Sequence, residues 1–285
     1  ARFMAGLPHG AFFGVGAIVA GILAEKNQKN QAIATMVSGM TFANLLGIPF
    51  GTFLSHNFSW RVIFLIVGLI GFYLLYSIIK LIPNLKPLPD NGFKGQFKIF
   101  NSLAIWLLIV AVIMSNGGIF CMYSYINPLL VKVSGIEDKY ISLIMILTGG
   151  SMCIGNFLGG KFADKISPSI VTYRMQFFVF LALIGMFFLS KNWFCAVFLL
   201  CICTGCLFGL SAPQQFLLIK NSKGGEILGA SCSQISFNLG NAIGAFAGGI
   251  PISMGYSYEY TVIPGLVFAF CGFLLMRYFD FRYKS

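Results

Sequence analysis

The sequence predicts an all-helical membrane protein that crosses the bilayer nine times. Of its 285 residues, 58% are hydrophobic and only 9% are charged, whereas a water-soluble domain contains about 25% charged residues. The hydrophobic residues form continuous runs of the length that a spanning helix needs, about 20 residues. Strands of membrane barrels are shorter and alternate apolar with polar residues, so the runs exclude a barrel.

The nine predicted spans follow one another along almost the whole chain. Each is a mostly apolar run that ends at a charged, Pro-rich or Gly-rich stretch. In chain order they cover residues 2–24, 32–54, 62–81, 103–130, 141–158, 170–189, 193–216, 227–252 and 262–276. The longest connection, residues 84–100, is rich in Pro, Gly and Lys and is predicted to be a linker between two helical bundles.

Basic residues in the short loops predict the orientation, because cytoplasmic loops are enriched in Lys and Arg. One side carries thirteen basic residues and the other four, with Arg2 and Arg174 lying inside spans. The larger set, which we expect in the cytoplasm with the C-terminus, is Lys26, Lys29, Lys80, Lys86, Lys94, Lys98, Lys161, Lys165, Lys220, Lys223, Arg277, Arg282 and Lys284. This distribution explains the net charge of +11 without a nucleic-acid partner.

Residues 155–167, GNFLGGKFADKIS, form the most informative stretch of the chain. Gly155 and Gly159 are four residues apart, so both leave a bare patch on one helix face against which a neighbouring helix can pack closely. Asp164 is predicted to lie where the next helix begins, near the positive end of that helix's dipole. The stretch therefore predicts a cytoplasmic turn between two spans; an ordinary turn without further role is the alternative.

An internal repeat predicts the larger plan. Asn44, Gly47 and Gly51 have the same spacing as Asn241, Gly244 and Gly248, which follow 197 residues later. Gly6 and Gly10 likewise parallel Gly205 and Gly209, 199 residues later. A repeat of six helices in a chain with nine implies that the first three of twelve are absent. Residues 1–83 would then be the remaining three helices of an N-terminal bundle, and residues 101–285 a six-helix C-terminal bundle.

The stretch GNFLGGKFADK resembles the loop signature of the major facilitator superfamily, as found between the second and third helices of its second half. The residues of this stretch are most similar to those of the drug–proton antiporter branch, which includes arabinose and sugar efflux permeases. RFMAGLPHGAFFG at residues 2–14 resembles the fourth-helix motif of the family, and YSYINP at 123–128 and FNLGNAIGAFAGG at 237–249 resemble its seventh and eleventh helices. GIPFGT resembles the fifth-helix antiporter motif, but Ile48 separates Gly47 from Pro49 and Thr52 replaces a glycine.

This resemblance implies a secondary active transporter of the inner membrane that exports a small solute by alternating access. The solute would be a sugar, a sugar-like compound or a drug, and protons would be the counter-ion. A passive facilitator, an importer and an inactive fragment are the alternatives. We do not expect an enzyme, because intramembrane catalysis would need clustered His, Asp or Glu, and neither a cofactor nor a metal is expected.

Polar residues within spans are the candidates for the transport pathway, because they are costly in a bilayer unless they face a cavity or a partner. The candidates are Arg2, His9, Asn44, Asn116, Tyr123, Tyr125, Gln234, Asn238 and Asn241. The resemblance implies that Arg2 tunes a proton-carrying acid on the first helix of the family. His9 could relay a proton or only bond a neighbouring helix, Asn44 and Asn241 could bond between helices, and the two tyrosines could belong to the interfacial belt.

A second set of residues is predicted to shape gating and helix packing. It comprises Gly47, Pro49, Gly51, Gly155, Gly159, Gly160, Asp164, Gly244 and Gly248. All eight acidic residues of the chain fall in predicted loops or at helix ends. Either the acids that couple transport to protons lie on the absent helices, or transport is not coupled to protons.

Overall fold

The computed structural model describes the backbone of residues 2–47, 50, 51, 54, 58–85 and 92–283, and the side chains of these residues except 2–11, 93 and 94. Its described part is helical and contains no strand. The long helices are α1 (Arg2–Leu23), α2 (Lys29–Phe42), α3 (Trp60–Leu81), α4 (Leu103–Tyr123), α5 (Asp138–Lys165), α6 (Pro168–Leu189), α7 (Trp193–Asn221), α8 (Glu226–Ser253) and α9 (Val262–Tyr283). Short helical segments cover Ala43–Gly47, Gly92–Gln96, Phe97–Asn101, Ile126–Pro128, Leu129–Val133 and Tyr258–Thr261.

Seven of the described helices, α3 to α9, are long and apolar enough to cross a membrane. In α1 the described apolar helix runs from Phe12 to Leu23. Helix α2 has 14 residues and continues only as a π-helical turn, Ala43–Gly47. The predicted second span, 32–54, therefore is not one regular helix over its described residues. That the chain has nine membrane spans, and that these are nine of twelve expected spans, stays a prediction.

Two predicted helix ends are wrong, for identifiable reasons. The fourth predicted span extends to residue 130, but α4 ends at Tyr123. Pro128 has no N–H to donate to the carbonyl of Ser124, and its ring clashes with that turn, so the helix breaks there. Helix α5 instead continues past Gly160 to Lys165, so Asp164 lies in its last turn rather than at the start of the next helix.

Helices α4 to α9 pack into one bundle, to which α1 and α2 are attached. Helix α4 packs against α8 and α9, α7 packs against α5 and α6, and α6 packs against α9. On the outside of this group, α2 lies along α5 and α1 along α8. The division into two bundles at residues 84–100 stays a prediction.

Glycines let the backbones of several helix pairs approach each other. A Cβ atom at Gly155 or Gly159 of α5 would overlap the carbonyl groups of Gly205 and Gly209 of α7. On the other side of the bundle, Gly244 and Gly248 of α8 face the backbone of α4 in the same way. Helices in lipid associate by close packing rather than by the hydrophobic effect, so these contacts stabilise the bundle.

Helix α3 differs from the others because none of its residues is buried. Its apolar side chains, such as Phe64 and Phe72, are exposed over the whole length of the helix. Ser59 caps its N-terminus, where its side chain accepts a hydrogen bond from the Arg61 N–H over 3.4 Å. Lipid is the medium that suits such a surface.

Candidate functional site

The Asp164 carboxylate at the end of α5 caps the beginning of α2. It accepts hydrogen bonds from the Asn30 N–H (3.0 Å), the Asn30 side-chain amide (2.8 Å) and the Gln31 N–H (2.8 Å). The residue before α2, Gln28, gives no side-chain cap of its own. The carboxylate therefore satisfies two free backbone donors and sits at the positive end of the α2 dipole. We call the end of the molecule where α5 finishes and α2, α6 and α8 begin the Asp164 end.

Further contacts continue this α2–α5 seam towards the middle of the molecule. The Asn156 side-chain amide donates to the Ala34 carbonyl over 2.6 Å. Gly160 lies under Ala34, where a Cβ atom would come within 2.7 Å of the alanine methyl group. Further along, Gly149 faces Leu45 at 3.1 Å by the same measure. Small residues on α5 thus bring the two backbones together from the Asp164 end to mid-helix.

A second seam joins α1 to the main bundle. The Gln215 side-chain amide donates to the Phe13 carbonyl over 3.2 Å. Gly14 faces Ser231 of α8, and a Cβ atom there would lie 3.1 Å from the serine Oγ. Since Ser231 is in the second turn of α8, this seam also lies towards the Asp164 end. Both seams hold α1 and α2 against the bundle at that end.

A cavity of about 370 Å³ lies beyond the α2–α5 seam, between α2 and helices α4, α5, α7 and α8. Its lining is Met40, Asn44, Phe120, Tyr123, Met145, Thr148, Gly149, Met152, Leu207, Phe208 and Phe237. No charged side chain is among the described residues that line it. The cavity is mostly apolar, with the Asn44 amide and the hydroxyls of Tyr123 and Thr148 as its polar groups.

Of the predicted pathway residues, Asn44 and Tyr123 line this cavity and several others do not. The Tyr125 hydroxyl donates to the Ala245 carbonyl over 2.9 Å and so joins α4 to α8. Asn238 is exposed and its amide donates to the Gln234 carbonyl, one turn earlier in the same helix, over 3.0 Å. Tyr125 and Asn238 therefore have structural contacts that do not involve the cavity.

Asn116 and Asn241 are held within the bundle rather than at the cavity. The Asn116 amide donates to the Val112 carbonyl of its own helix over 2.8 Å, and the residue is fully buried. Its carbonyl oxygen, like that of Asn241, is buried and accepts no hydrogen bond from the part of the chain that the structure describes. Both residues lie on the facing helices α4 and α8.

Three predicted residues lie wholly or partly outside the described residues. The backbones of Arg2 and His9 belong to α1, but their side chains lie outside the described residues, and so does Pro49 altogether. A Cβ atom at Gly51 would meet nothing described within 4 Å. The pathway and gating roles of all these residues stay predictions.

The sequence reasoning missed Asn30, Gln31 and Asn156, which form the α2–α5 seam with Asp164. Asn156 follows Gly155 directly in the glycine motif, which was a usable signal. Asn30 and Gln31 stand in a polar loop sequence that looks like any exposed turn. The sequence reasoning also missed Gln176, a fully buried residue whose amide donates to the Ala269 carbonyl over 3.3 Å.

Acidic residues of the described part lie away from the cavity. Asp280, near the end of α9, accepts a hydrogen bond from the Ser169 hydroxyl at the start of α6. Glu137 pairs with Lys139 in an exposed ion pair of 2.6 Å. Among the described residues no group of three His, Cys, Asp or Glu side chains could hold a metal ion.

Residues 1–231 match the model of the Major Facilitator Superfamily. The chain belongs to this superfamily of membrane transporters. It is 39% identical to AraJ of Escherichia coli (strain K12) over 283 residues, which cover 99% of this chain and 72% of AraJ. It is 30% identical to the inner membrane transport protein YdhP of the same strain over 282 residues, 96% of this chain and 70% of YdhP.

Solved structures of other superfamily members have the same fold. A single-residue variant of the E. coli fucose:proton symporter FucP matches with a TM-score of 0.73 and 15% identity, over 94% of this chain and 73% of FucP. A bacterial homologue of the iron transporter ferroportin, in an outward-facing state, matches with a TM-score of 0.65 and 15% identity, over 95% of this chain and 69% of the homologue. At this identity the likeness concerns the fold, and the chain is a multi-pass membrane transporter of that fold.

Proposed function

We propose that this transporter exports a neutral, amphipathic solute through the cavity between α2 and the main bundle, by alternating access and in exchange for protons. It would act in the inner membrane, as the name of YdhP suggests, with the Asp164 end facing the cytoplasm. The Asp164 cap of α2 is the observation that carries the alternating-access mechanism.

The cap joins helices that belong to different bundles of the predicted plan, with α2 in the first and α5 in the second. Alternating access requires the two bundles to rock around a central site. Three hydrogen bonds to one carboxylate close the Asp164 end firmly when formed, yet they involve a few atoms that can separate together. The cap is therefore suited to be a reversible cytoplasmic gate.

The cavity lining supports a drug-like solute rather than a sugar. Three methionines and three phenylalanines line the cavity, against an asparagine, a tyrosine and a threonine with polar groups. Methionine adapts to varied apolar shapes, and aromatic rings bind flat apolar surfaces. A sugar needs a polar group for nearly every hydroxyl, because buried hydroxyls without partners are costly. FucP, named for fucose, shares only the fold.

Proton exchange rests on the resemblance to the antiporter branch. No described acid lines the cavity, so the titrating group would be His9 or an acid that pairs with Arg2. This pairing is what the resemblance implies. A facilitator without coupling is the second candidate, favoured by the same absence of an acid among the described lining residues.

Proteoliposomes with an imposed pH gradient test the proposal. The vesicles contain the purified chain, and the flux of a neutral amphipathic dye is compared with that of radiolabelled arabinose. We expect the dye to move against its own concentration gradient when the pH gradient drives protons in the opposite direction. We expect little arabinose flux. Dye flux that ignores the pH gradient would support the facilitator, whereas arabinose flux without dye flux would refute the amphipathic substrate class.

A further inference from the structure

A second large cavity, of about 480 Å³, opens at the Asp164 end between α1, α2, α7 and α8. We call it the α1–α7 groove. Its inner wall is apolar and includes Ile22 of α1 and Phe216 of α7. Lys29 and Lys220 stand on its lining as well. The groove is distinct from the cavity of about 370 Å³ described above and shares no lining residue with it.

The two lysines of the groove are free to bind an anion. Both are exposed. Neither has an ion-pair partner among the described residues, whose one ion pair joins Lys139 to Glu137. Glu226 also lines the groove, but its carboxylate accepts a hydrogen bond from the Gly224 N–H over 2.9 Å and lies in the first turn of α8, at the positive end of its dipole. Two lysines against one carboxylate leave the groove with a net positive charge.

Charge and shape together identify the occupant. An apolar wall with two cations fits a molecule with an anionic head and an apolar tail, and the lysine stems can lie along the wall while their ammonium groups meet the head. We infer that the α1–α7 groove binds one anionic phospholipid, with its phosphate between Lys29 and Lys220 and an acyl chain along α1 and α7. The inference does not depend on the transported solute or on its coupling.

A lipid in this place would contact helices on both sides of the proposed gate. Its acyl chain would touch α1 and α7, and its head would touch α2 and α7. Because α1 and α2 are attached to the main bundle through the two seams, the lipid would add a third attachment at the Asp164 end. Bound lipid should therefore raise the melting temperature of the protein.

The test measures lipid binding to the purified chain in neutral detergent by native mass spectrometry. The probes are phosphatidylglycerol, phosphatidylcholine with the same acyl chains, and sodium phosphate, and melting is followed in parallel. We expect phosphatidylglycerol to bind and to raise the melting temperature, and the other two probes to do neither. Equal binding of phosphatidylcholine would overturn recognition of the head, and an equal effect of sodium phosphate would show a free-anion site instead of a lipid site.

Variants locate the site. Lys29→Gln with Lys220→Gln should weaken phosphatidylglycerol binding about 25-fold, since a lysine near an anionic lipid contributes about fivefold. The matched control is Lys161→Gln with Lys223→Gln, which removes the same charge from exposed residues of the same end outside the groove and should leave binding unchanged. Equal effects of the two pairs would mean attraction by the whole basic surface, and the inference would fail.

Gly21→Leu tests the apolar part of the groove separately. A Cβ atom at Gly21 meets nothing described within 4 Å, and leucine favours a helix over glycine, so this variant should fold. The leucine would fill space that the acyl chain needs while both lysines stay in place, and we expect weaker phosphatidylglycerol binding. Unchanged binding would place the lipid outside the groove.

Discussion

A few side chains at the Asp164 end decide how α2 is held. The Asp164 carboxylate has three donors from α2, and Asn156 adds one bond to the same helix. Hydrogen bonds to a charged group contribute more than neutral ones. The Tyr123 and Tyr125 side chains, two residues apart in sequence, differ in role: Tyr123 lines the cavity, whereas Tyr125 joins α4 to α8.

Asp164→Asn should loosen the proposed gate. The amide keeps one acceptor but loses the charge at the α2 N-terminus, and loss of a helix cap costs about 0.5–2 kcal/mol. We expect the Asp164 end to open about 2- to 30-fold more often. The measurement is the labelling rate of a cysteine at Val37, a buried α2 position, in a cysteine-free background.

Glu25→Gln is the control for this change. Glu25 is an exposed acid of the same end whose carboxylate accepts a hydrogen bond from the Gln28 side chain, and its loss should leave the labelling of position 37 unchanged. If Asp164→Asn also leaves labelling unchanged, the cap is not a gate.

The two tyrosines should respond differently to loss of their hydroxyls. Tyr123→Phe should change the KM for transported dye with little change in stability, because its hydroxyl is a polar group of the cavity. Tyr125→Phe should lower stability by about 1 kcal/mol, the typical value of one hydrogen bond, with KM unchanged. Melting curves and initial transport rates separate the two effects, and an identical response of both variants would contradict the assignment.

At the scale of helices, close packing of bare backbones distinguishes α5 from a simple spanning segment. Gly155 and Gly159 face α7, while Gly149 and Gly160 face α2 and its continuation, so one helix serves two neighbours. Gly150, between them in sequence, meets nothing described within 4 Å. The same helix thus supplies both the test position and its control.

Gly159→Ala should destabilise the protein and Gly150→Ala should not. The methyl group at 159 would overlap the backbone of Gly209, and overpacking of this kind costs about 1–3 kcal/mol. At 150 the methyl group has room and alanine favours the helix. Melting temperatures in detergent give the comparison, and Gly244→Leu in α8 should behave like Gly159→Ala. Equal melting of the two alanine variants would show that α5 and α7 can separate without loss.

The sequence was sufficient to predict that the helices exist but not which helices they pack against. Apolar runs identify a span because the bilayer imposes its length and composition locally. The predicted position of Asp164 is wrong because glycine and charge suggest a turn, whereas α7 and α2 hold Gly159 and Gly160 in a helix. Its partners Asn30 and Gln31 are about 130 residues away, and no local pattern encodes which carboxylate caps which helix.

At the scale of the whole molecule, charge is distributed unequally between the two ends. Among the described residues, Lys26, Lys29, Lys161, Lys165, Lys220, Lys223, Arg277 and Arg282 lie near the Asp164 end, while Arg61, Lys132, Lys139 and Lys191 lie near the other. This asymmetry supports a cytoplasmic Asp164 end.

Cysteine labelling tests the orientation. The reporters are Lys223, an exposed residue of the Asp164 end, and Glu137, an exposed residue of the other end. We expect Glu137→Cys to react with an impermeant reagent in intact cells whose outer membrane has been made permeable. Lys223→Cys should react only after the inner membrane is opened. The reverse pattern would overturn the proposed orientation.

The cap of α2 by a residue on another helix ties secondary structure to the transport cycle. When Asp164 moves away, the Asn30 and Gln31 amides lose their acceptors and the first turn of α2 should fray. Those two amides would then exchange with deuterium at a rate set by opening of the end rather than by global unfolding. Deuterium exchange of these two amides would thus report how often the gate opens, without any substrate. A solute that holds the Asp164 end closed should slow their exchange.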